Sequence, residues 1–110
     1  MKHVWFYLAS TALLWSKATK KTVFGLVALN VIVSAIKVAT HMRRPNGSDY
    51  LSFPSGHAAT AWYLATLWSF NPWVTAWAVL VSGMRVVERW HTPLDVVAGA
   101  LLGIAAAKSL

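Results

Sequence analysis

Polar and apolar positions in this chain come in blocks rather than alternating with a short period. Apolar runs cover 4–16, 22–42, 55–70, 72–89 and 93–108, and they are apolar on all sides. Between them lie "SKATKK" (16–21), "RRPNGSDYLSFPS" (43–55), "FNPW" (70–73) and "RWHTP" (89–93). A transmembrane barrel would need alternation through segments of roughly ten residues. These blocks predict helices joined by short polar turns, with Asn71-Pro72 and Thr92-Pro93 as stop-and-restart signals. The predicted fold is an all-α bundle of about five helices.

Crossing a bilayer's hydrocarbon takes about 20 helical residues, with about 17 as the lower limit. Segments 22–42 and 72–89 meet that length, whereas 55–70 and 93–108 fall slightly short and would lean on flanking residues or local thinning. Segment 4–16 either half-inserts or lies in the interface. Composition turns the bundle into a membrane bundle. Hydrophobic residues make up 57% and charged residues 12%, against about 25% charged in a soluble domain. A chain of 110 residues has too little interior to hide that much apolar surface. Trp5, Trp15, Trp68, Trp73 and Trp90 fall near segment ends, as interfacial belts do, while Trp62 and Trp77 sit mid-segment and are expected to pack. Residues 1–18 loosely fit a secretory signal, but the crowded aromatics and Lys17 favour a retained short helix. The length suits one domain over 1–110, without repeat or linker.

The net charge of +7 could point to nucleic acid. However, the Lys and Arg residues sit at the ends of apolar runs and form no basic stripe with aromatics, which is a membrane protein's arrangement. Nucleic acid is therefore not an expected partner. If the last four segments form consecutive hairpins, four of their ends share one membrane face. Those ends carry Lys37, Arg43, Arg44, Ser55, Gly56, His57, Arg85, His91 and Asp95. The opposite face carries Lys17, Lys20, Lys21 and Lys108. These lysines mark the cytoplasmic side of an inner or plasma membrane, so the clustered face opens to the periplasm or exterior of a multi-pass protein.

Cations, imidazoles, one carboxylate and a helix start together suit a multiply charged oxyanion. The N-terminus at Ser55-Gly56-His57 offers backbone N–H groups without intrahelical acceptors, and Gly56 lets a ligand approach them. An Arg fork donates two parallel bonds to phosphate, and Lys adds a point charge. His91 and Asp95 lie four apart across a helix start. That spacing lets the carboxylate take one imidazole nitrogen and leave the other as a nucleophile, with His57 as general acid. A two-metal site fits poorly, because the chain has three acids, Asp49, Glu88 and Asp95. No metal or cofactor is expected, and the lack of cysteine removes thiol catalysis and disulfides. Structural readings stand beside these. Thr92-Pro93-Leu94-Asp95 is also a capping box, Ser55 is also a good N-cap, and Lys37 alone would be read as snorkelling.

Taken together, Lys37-x6-Arg44-Pro45, Pro54-Ser55-Gly56-His57 and Arg85-x5-His91-x3-Asp95 resemble the three-part signature of the type-2 phosphatidic acid phosphatase superfamily. That superfamily includes the vanadium haloperoxidases and bacterial acid phosphatases. The resemblance covers 37–95 and implies a helical core of that acid phosphatase/haloperoxidase type. It implies metal-independent phosphate or pyrophosphate hydrolysis through a phosphohistidine. His91 would be the nucleophile, Asp95 its orienting partner and His57 the acid for the leaving group. Lys37, Arg44, Ser55, Gly56 and Arg85 would bind phosphate. The family usually has Ser before the third-motif Arg, where this chain has Met84. Membrane members usually have six helices, with two before the first-motif helix; one short segment precedes it here. The expected substrate is a phospholipid or isoprenoid phosphate at the bilayer surface, such as phosphatidate, phosphatidylglycerophosphate or undecaprenyl pyrophosphate. A non-catalytic protein binding anionic lipid in the same cradle is the alternative. A vanadate-dependent peroxidase fits least, since those relatives are large and soluble. None of these features speaks to oligomeric state.

Overall fold

The computed structural model describes residues 4–17, 19–41, 47, 53–89 and 91–110. Its helices are α1 (Val4–Lys17), α2 (Lys20–Thr40), α3 (Gly56–Leu67), α4 (Pro72–Val87) and α5 (Pro93–Lys108). Among the described residues there is no strand, in keeping with the block pattern.

Local chemistry sets the boundaries. α2 begins before the apolar run because Thr19 and Thr22 cap it reciprocally. Thr19 Oγ1 accepts from the Thr22 N–H at 3.1 Å, and Thr22 Oγ1 accepts from the Thr19 N–H at 2.8 Å. The helix stops at His41, which is left-handed (φ 51°) and donates its N–H to Lys37 O. α3 is shorter than the 55–70 run. Ser69 and Phe70 adopt left-handed backbone (φ 54° and 55°), and the Phe70 N–H folds back to Ala65 O at 2.8 Å. Asn71 then caps α4 by accepting from the Trp73 N–H at 3.0 Å, with Pro72 at the first helical position.

α4 also ends early, at Val87, because Arg89 turns left-handed (φ 62°). Its 16 residues rise about 24 Å. Two segments were expected to be long enough to span. Among the described residues only α2, with 21 residues and a mean hydropathy of 2.0, has the length and composition to cross a membrane.

The centre of the bundle is α3. Ala58, Ala59, Ala61, Tyr63, Leu64 and Ala65 are all buried. Its closest neighbour is α5, and glycine makes that approach possible. A Cβ at Gly99 would overlap Ser55 O, and one at Gly103 would overlap Ala59 O. Gly99-x3-Gly103 thus presents a bare strip to α3, the small-residue device by which helices pack without a hydrophobic driving force. One apolar cluster joins Leu29, Val33, Ala59, Tyr63, Leu64 and Ala107, and a second joins Ala61, Ala65, Val74 and Ala78.

The helices run alternately up and down. At one end the Lys37 ammonium donates to Pro54 O at 2.6 Å, the Ser55 N–H to Asp95 O at 3.0 Å, and the His91 N–H to Arg85 O at 3.2 Å. At the other end Tyr63 donates its hydroxyl to Thr22 O at 2.5 Å, and the Trp68 indole donates to Leu13 O at 3.1 Å. The Lys17 ammonium lies 4.9 Å above the Trp68 ring there. α1 therefore runs lengthwise beside α3, from His57 near Phe6 to Trp68 near Leu13 and Lys17. The outside of the bundle is apolar: Phe24, Val27, Val31, Leu80, Val87, Leu94 and Leu101 are exposed. Trp5, Trp15 and Trp73 are 82%, 82% and 85% exposed and sit near helix ends.

Candidate active site

Every expected site residue in the described part lies at the same end of the bundle, and α5 supplies the centre. Thr92 accepts the Asp95 N–H at 3.2 Å, and Asp95 Oδ2 accepts the Thr92 N–H at 2.8 Å, with Pro93 at the first helical position. This capping box fixes the Asp95 carboxylate four residues after His91. His91 Nδ1 lies 4.0 Å from Asp95 Oδ2, longer than a hydrogen bond. Each of these side chains is 2% exposed. Asp95 thus serves as cap and as neighbour of the imidazole at once. The other ring nitrogen, Nε2, is the one remote from the carboxylate.

Ser55 is the N-cap of α3 and is fully buried; its Oγ accepts the Ala58 N–H at 3.2 Å. The Ser55 N–H to Asp95 O bond ties the start of α3 to the start of α5. Gly56 opens α3, and its amide has no intrahelical acceptor. Lys37 reaches across from the last turn of α2 and is held, half-buried, by Pro54 O. Arg85, 7% exposed, comes from the last turn of α4, where its guanidinium also suits the helix's negative end. Arg44 lies outside the described residues, as do Arg43, Asp49 and Trp90.

His57 and Arg85 meet around one cavity of about 240 Å³, with Trp5, Phe6, Trp77 and Met84 among its walls. Met84, at the position where Ser is usual in the resembling family, is 46% exposed and turns its side chain to this cavity. His57 is half-buried beneath α1. Its ring centroid lies 4.3 Å from that of Phe6 at an interplanar angle of 33°, and Phe6 in turn stacks on Trp77 at 5.9 Å and 14°. Sequence reasoning gave α1 no part in the site. Phe6 and Tyr7 belong to no motif, and the only signal for them is the aromatic crowding of an unusually short apolar run. Among the described residues no group of three His, Cys, Asp or Glu side chains could hold a metal ion.

A buried imidazole–carboxylate pair, two described cations and a capped helix start thus gather at one end of an apolar helical bundle, a set of groups whose chemistry suits a multiply charged oxyanion. The chain belongs to the PAP2 superfamily, whose family model matches residues 5–110. It is 33% identical over 99 residues to lipid A 1-phosphatase of Porphyromonas gingivalis, a match covering 82% of this chain and 22% of that protein. It is 44% identical over 70 residues to undecaprenyl-diphosphatase of Sulfolobus acidocaldarius, covering 58% of this chain and 34% of that protein. The matches therefore span 22% and 34% of the length of these curated relatives. No solved structure matches it.

Proposed function

We propose that the chain is an integral-membrane lipid phosphatase that hydrolyses a phosphate or diphosphate ester without a metal, through a phosphohistidine on His91. The observation that carries this reading is the buried His91–Asp95 pair, set by the capping box of α5 at the end of the bundle where Arg85, Lys37 and His57 gather. Membership of the superfamily and the phosphatase names of both relatives support it. The apolar exterior and the hydropathy of α2 support a membrane setting.

In the first step His91 Nε2 attacks phosphorus. The N–P bond forms as the bond to the ester oxygen breaks, and His57 gives that oxygen its proton. Asp95 stabilises the imidazolium character that develops on His91. Lys37, Arg85, Arg44 and the Gly56 amide bind the equatorial oxygens, where transition-state charge is spread. In the second step His57 takes a proton from water. The water oxygen bonds to phosphorus, the P–N bond breaks, and inorganic phosphate leaves with His91 and His57 restored.

The test is phosphate release by detergent-purified protein from a panel of lipid phosphates, with and without EDTA. Release that persists in EDTA and disappears in His91→Ala is expected. Chelator-sensitive release overturns the mechanism. Tight binding of lipid phosphate without release by the intact chain identifies an anionic-lipid binding protein instead.

A further inference from the structure

α1 is held unlike the other helices. From Trp5 to Lys17 none of its side chains is buried, whereas α2, α3, α4 and α5 each bury at least three residues. Polar contacts tie down its C-terminal end. There the Trp68 indole donates to Leu13 O, the Lys17 ammonium sits over the Trp68 ring, and the Thr22 hydroxyl lies 3.0 Å from Lys17 O. At the site end α1 rests on His57 and Trp77 through the Phe6 ring. The helix packs closely on α2 and α3 but not on α4. The seam between α1 and α4 is accordingly hollow. It holds the cavity of about 240 Å³ that reaches His57 and Arg85, and past Trp77 it continues into a second hollow beside Ala9, Ala12, Trp73 and Val74.

A lipid phosphate meets an obstacle here. Its leaving oxygen must come to His57 while its hydrocarbon stays with the bilayer, so the hydrocarbon has to pass between helices. The cavity beside His57 and Arg85 is smaller than the roughly 300–1,000 Å³ of sites that take small molecules, and Phe6 covers the His57 ring. Parting α1 from α4 removes both obstacles. In lipid, the apolar surface so exposed meets tails as apolar as itself, so the opening carries no hydrophobic cost. Phe6 stands about 16 Å along α1 from Lys17. A tilt of about 20° about the Lys17 end therefore carries its ring roughly 5–6 Å, clear of His57. We propose that α1 is a lateral gate. It pivots at its Lys17 end, its Phe6 end swings off α4, and a lipid phosphate enters from the bilayer through the opened seam between α1 and α4. This rests on the membrane phosphatase reading above and adds the route by which its substrate arrives.

The chain has no cysteine, so an introduced pair supplies its only thiols. Trp5→Cys with Leu80→Cys puts one thiol on each wall of the seam at the site end, at positions that are both exposed. A bis-maleimide with a reducible linker then ties α1 to α4. Ala12→Cys with Trp73→Cys ties the same helices at the pivot end and is the control. Phosphate release is measured from diacylglycerol 3-phosphate and a prenyl diphosphate in mixed micelles, and from p-nitrophenyl phosphate, before and after reduction of the linker. The site-end link should lower release from both lipids by at least about ten-fold, spare p-nitrophenyl phosphate within about two-fold, and be reversed by dithiothreitol. The pivot-end link should leave all three rates level. Comparing linked with reduced protein in one sample cancels any folding defect of the double variant. Lipid turnover as fast linked as reduced, an equal fall on p-nitrophenyl phosphate, or equal inhibition by the pivot-end link overturns the gate while leaving the phosphatase reading standing. No release from any substrate by the unmodified protein overturns that reading, and this one with it.

Discussion

The sharpest test of how the fold builds the site lies outside the signature residues, at Gly99. Its position against Ser55 leaves no room for a Cβ, which would overlap Ser55 O and stand 3.3 Å from Ala59 N. Those are backbone atoms of a helix start, and they cannot rotate away. In Gly99→Ala, α5 must therefore move off α3 by on the order of 1 Å. Overpacking of this kind costs about 1–3 kcal/mol. The shift falls one turn after Asp95, whose carbonyl accepts the Ser55 N–H at 3.0 Å, so it is transmitted to His91–Asp95 on one side and to Ser55–His57 on the other. Misplacing reacting groups by about 1 Å can cost about 10²-fold in rate. Phosphate release should therefore fall by about that factor per molecule of folded protein, alongside a lower thermal midpoint in detergent. Gly83→Ala is the control. Nothing lies within 4 Å of a Cβ there, and replacing an exposed helical glycine should gain about 0.5–1 kcal/mol. If Gly99→Ala releases phosphate as fast as Gly83→Ala, the α3–α5 spacing does not set the site, and the reasoning fails.

Asp95→Asn separates the two tasks of that residue. The amide oxygen can still accept the Thr92 N–H, so stability should change by less than about 1 kcal/mol, while kcat falls by about 10²–10⁴-fold; unchanged turnover would leave Asp95 as a cap alone. Phe6→Leu removes the ring that lies tilted against His57. It should slow hydrolysis of alkyl phosphates, whose leaving oxygen needs an acid, by about ten-fold more than that of p-nitrophenyl phosphate, whose leaving oxygen does not; equal slowing of both would assign Phe6 to packing only. Tyr63→Phe deletes the bond to Thr22 O at the far end of the bundle. It should lower stability by about 0.5–1.5 kcal/mol with kcat retained, and a fall in kcat at full stability would contradict the separation of the two ends.

The parts of this structure legible in the sequence were those written in local chemistry. Five apolar blocks became five helices, and Thr92-Pro93-x-Asp95 marked the start of α5 to the residue. Alternation of the helices brought Lys37, Ser55, Gly56, His57, Arg85, His91 and Asp95 to one end, as hairpin connectivity required. What escaped depends on pairings between distant segments. No residue near Phe6 announces that its ring will lie on His57. Asn71-Pro72 announced the break, but the left-handed backbone that ends α3 three residues before the predicted limit falls on Ser69 and Phe70, where no glycine or asparagine marks a positive φ. Gly99-x3-Gly103 was not singled out in the sequence, and what it faces, the carbonyls of Ser55 and Ala59, follows only once α5 is placed on α3.

The short central helix gives the proposed chemistry its setting. α3 has 12 residues, about 18 Å of helix against roughly 30 Å of hydrocarbon. It can be this short because α1, α2, α4 and α5 sheathe it, so its ends meet protein groups rather than lipid. If α3 is centred in the bilayer, its start lies about 6 Å below the hydrocarbon boundary on the site's side. A phosphate reaching Ser55 and Gly56 must then leave bulk water, and the cations it meets act in a medium of lower effective dielectric, where each charge contact is stronger than at a surface. The buried pair His91–Asp95, the 7%-exposed Arg85 and the half-buried Lys37 fit that depth. Recessing preorganised charges in this way can replace the charge neutralisation that a divalent metal would supply. A bundle with very few carboxylates has no other ready means of stabilising phosphoryl transfer.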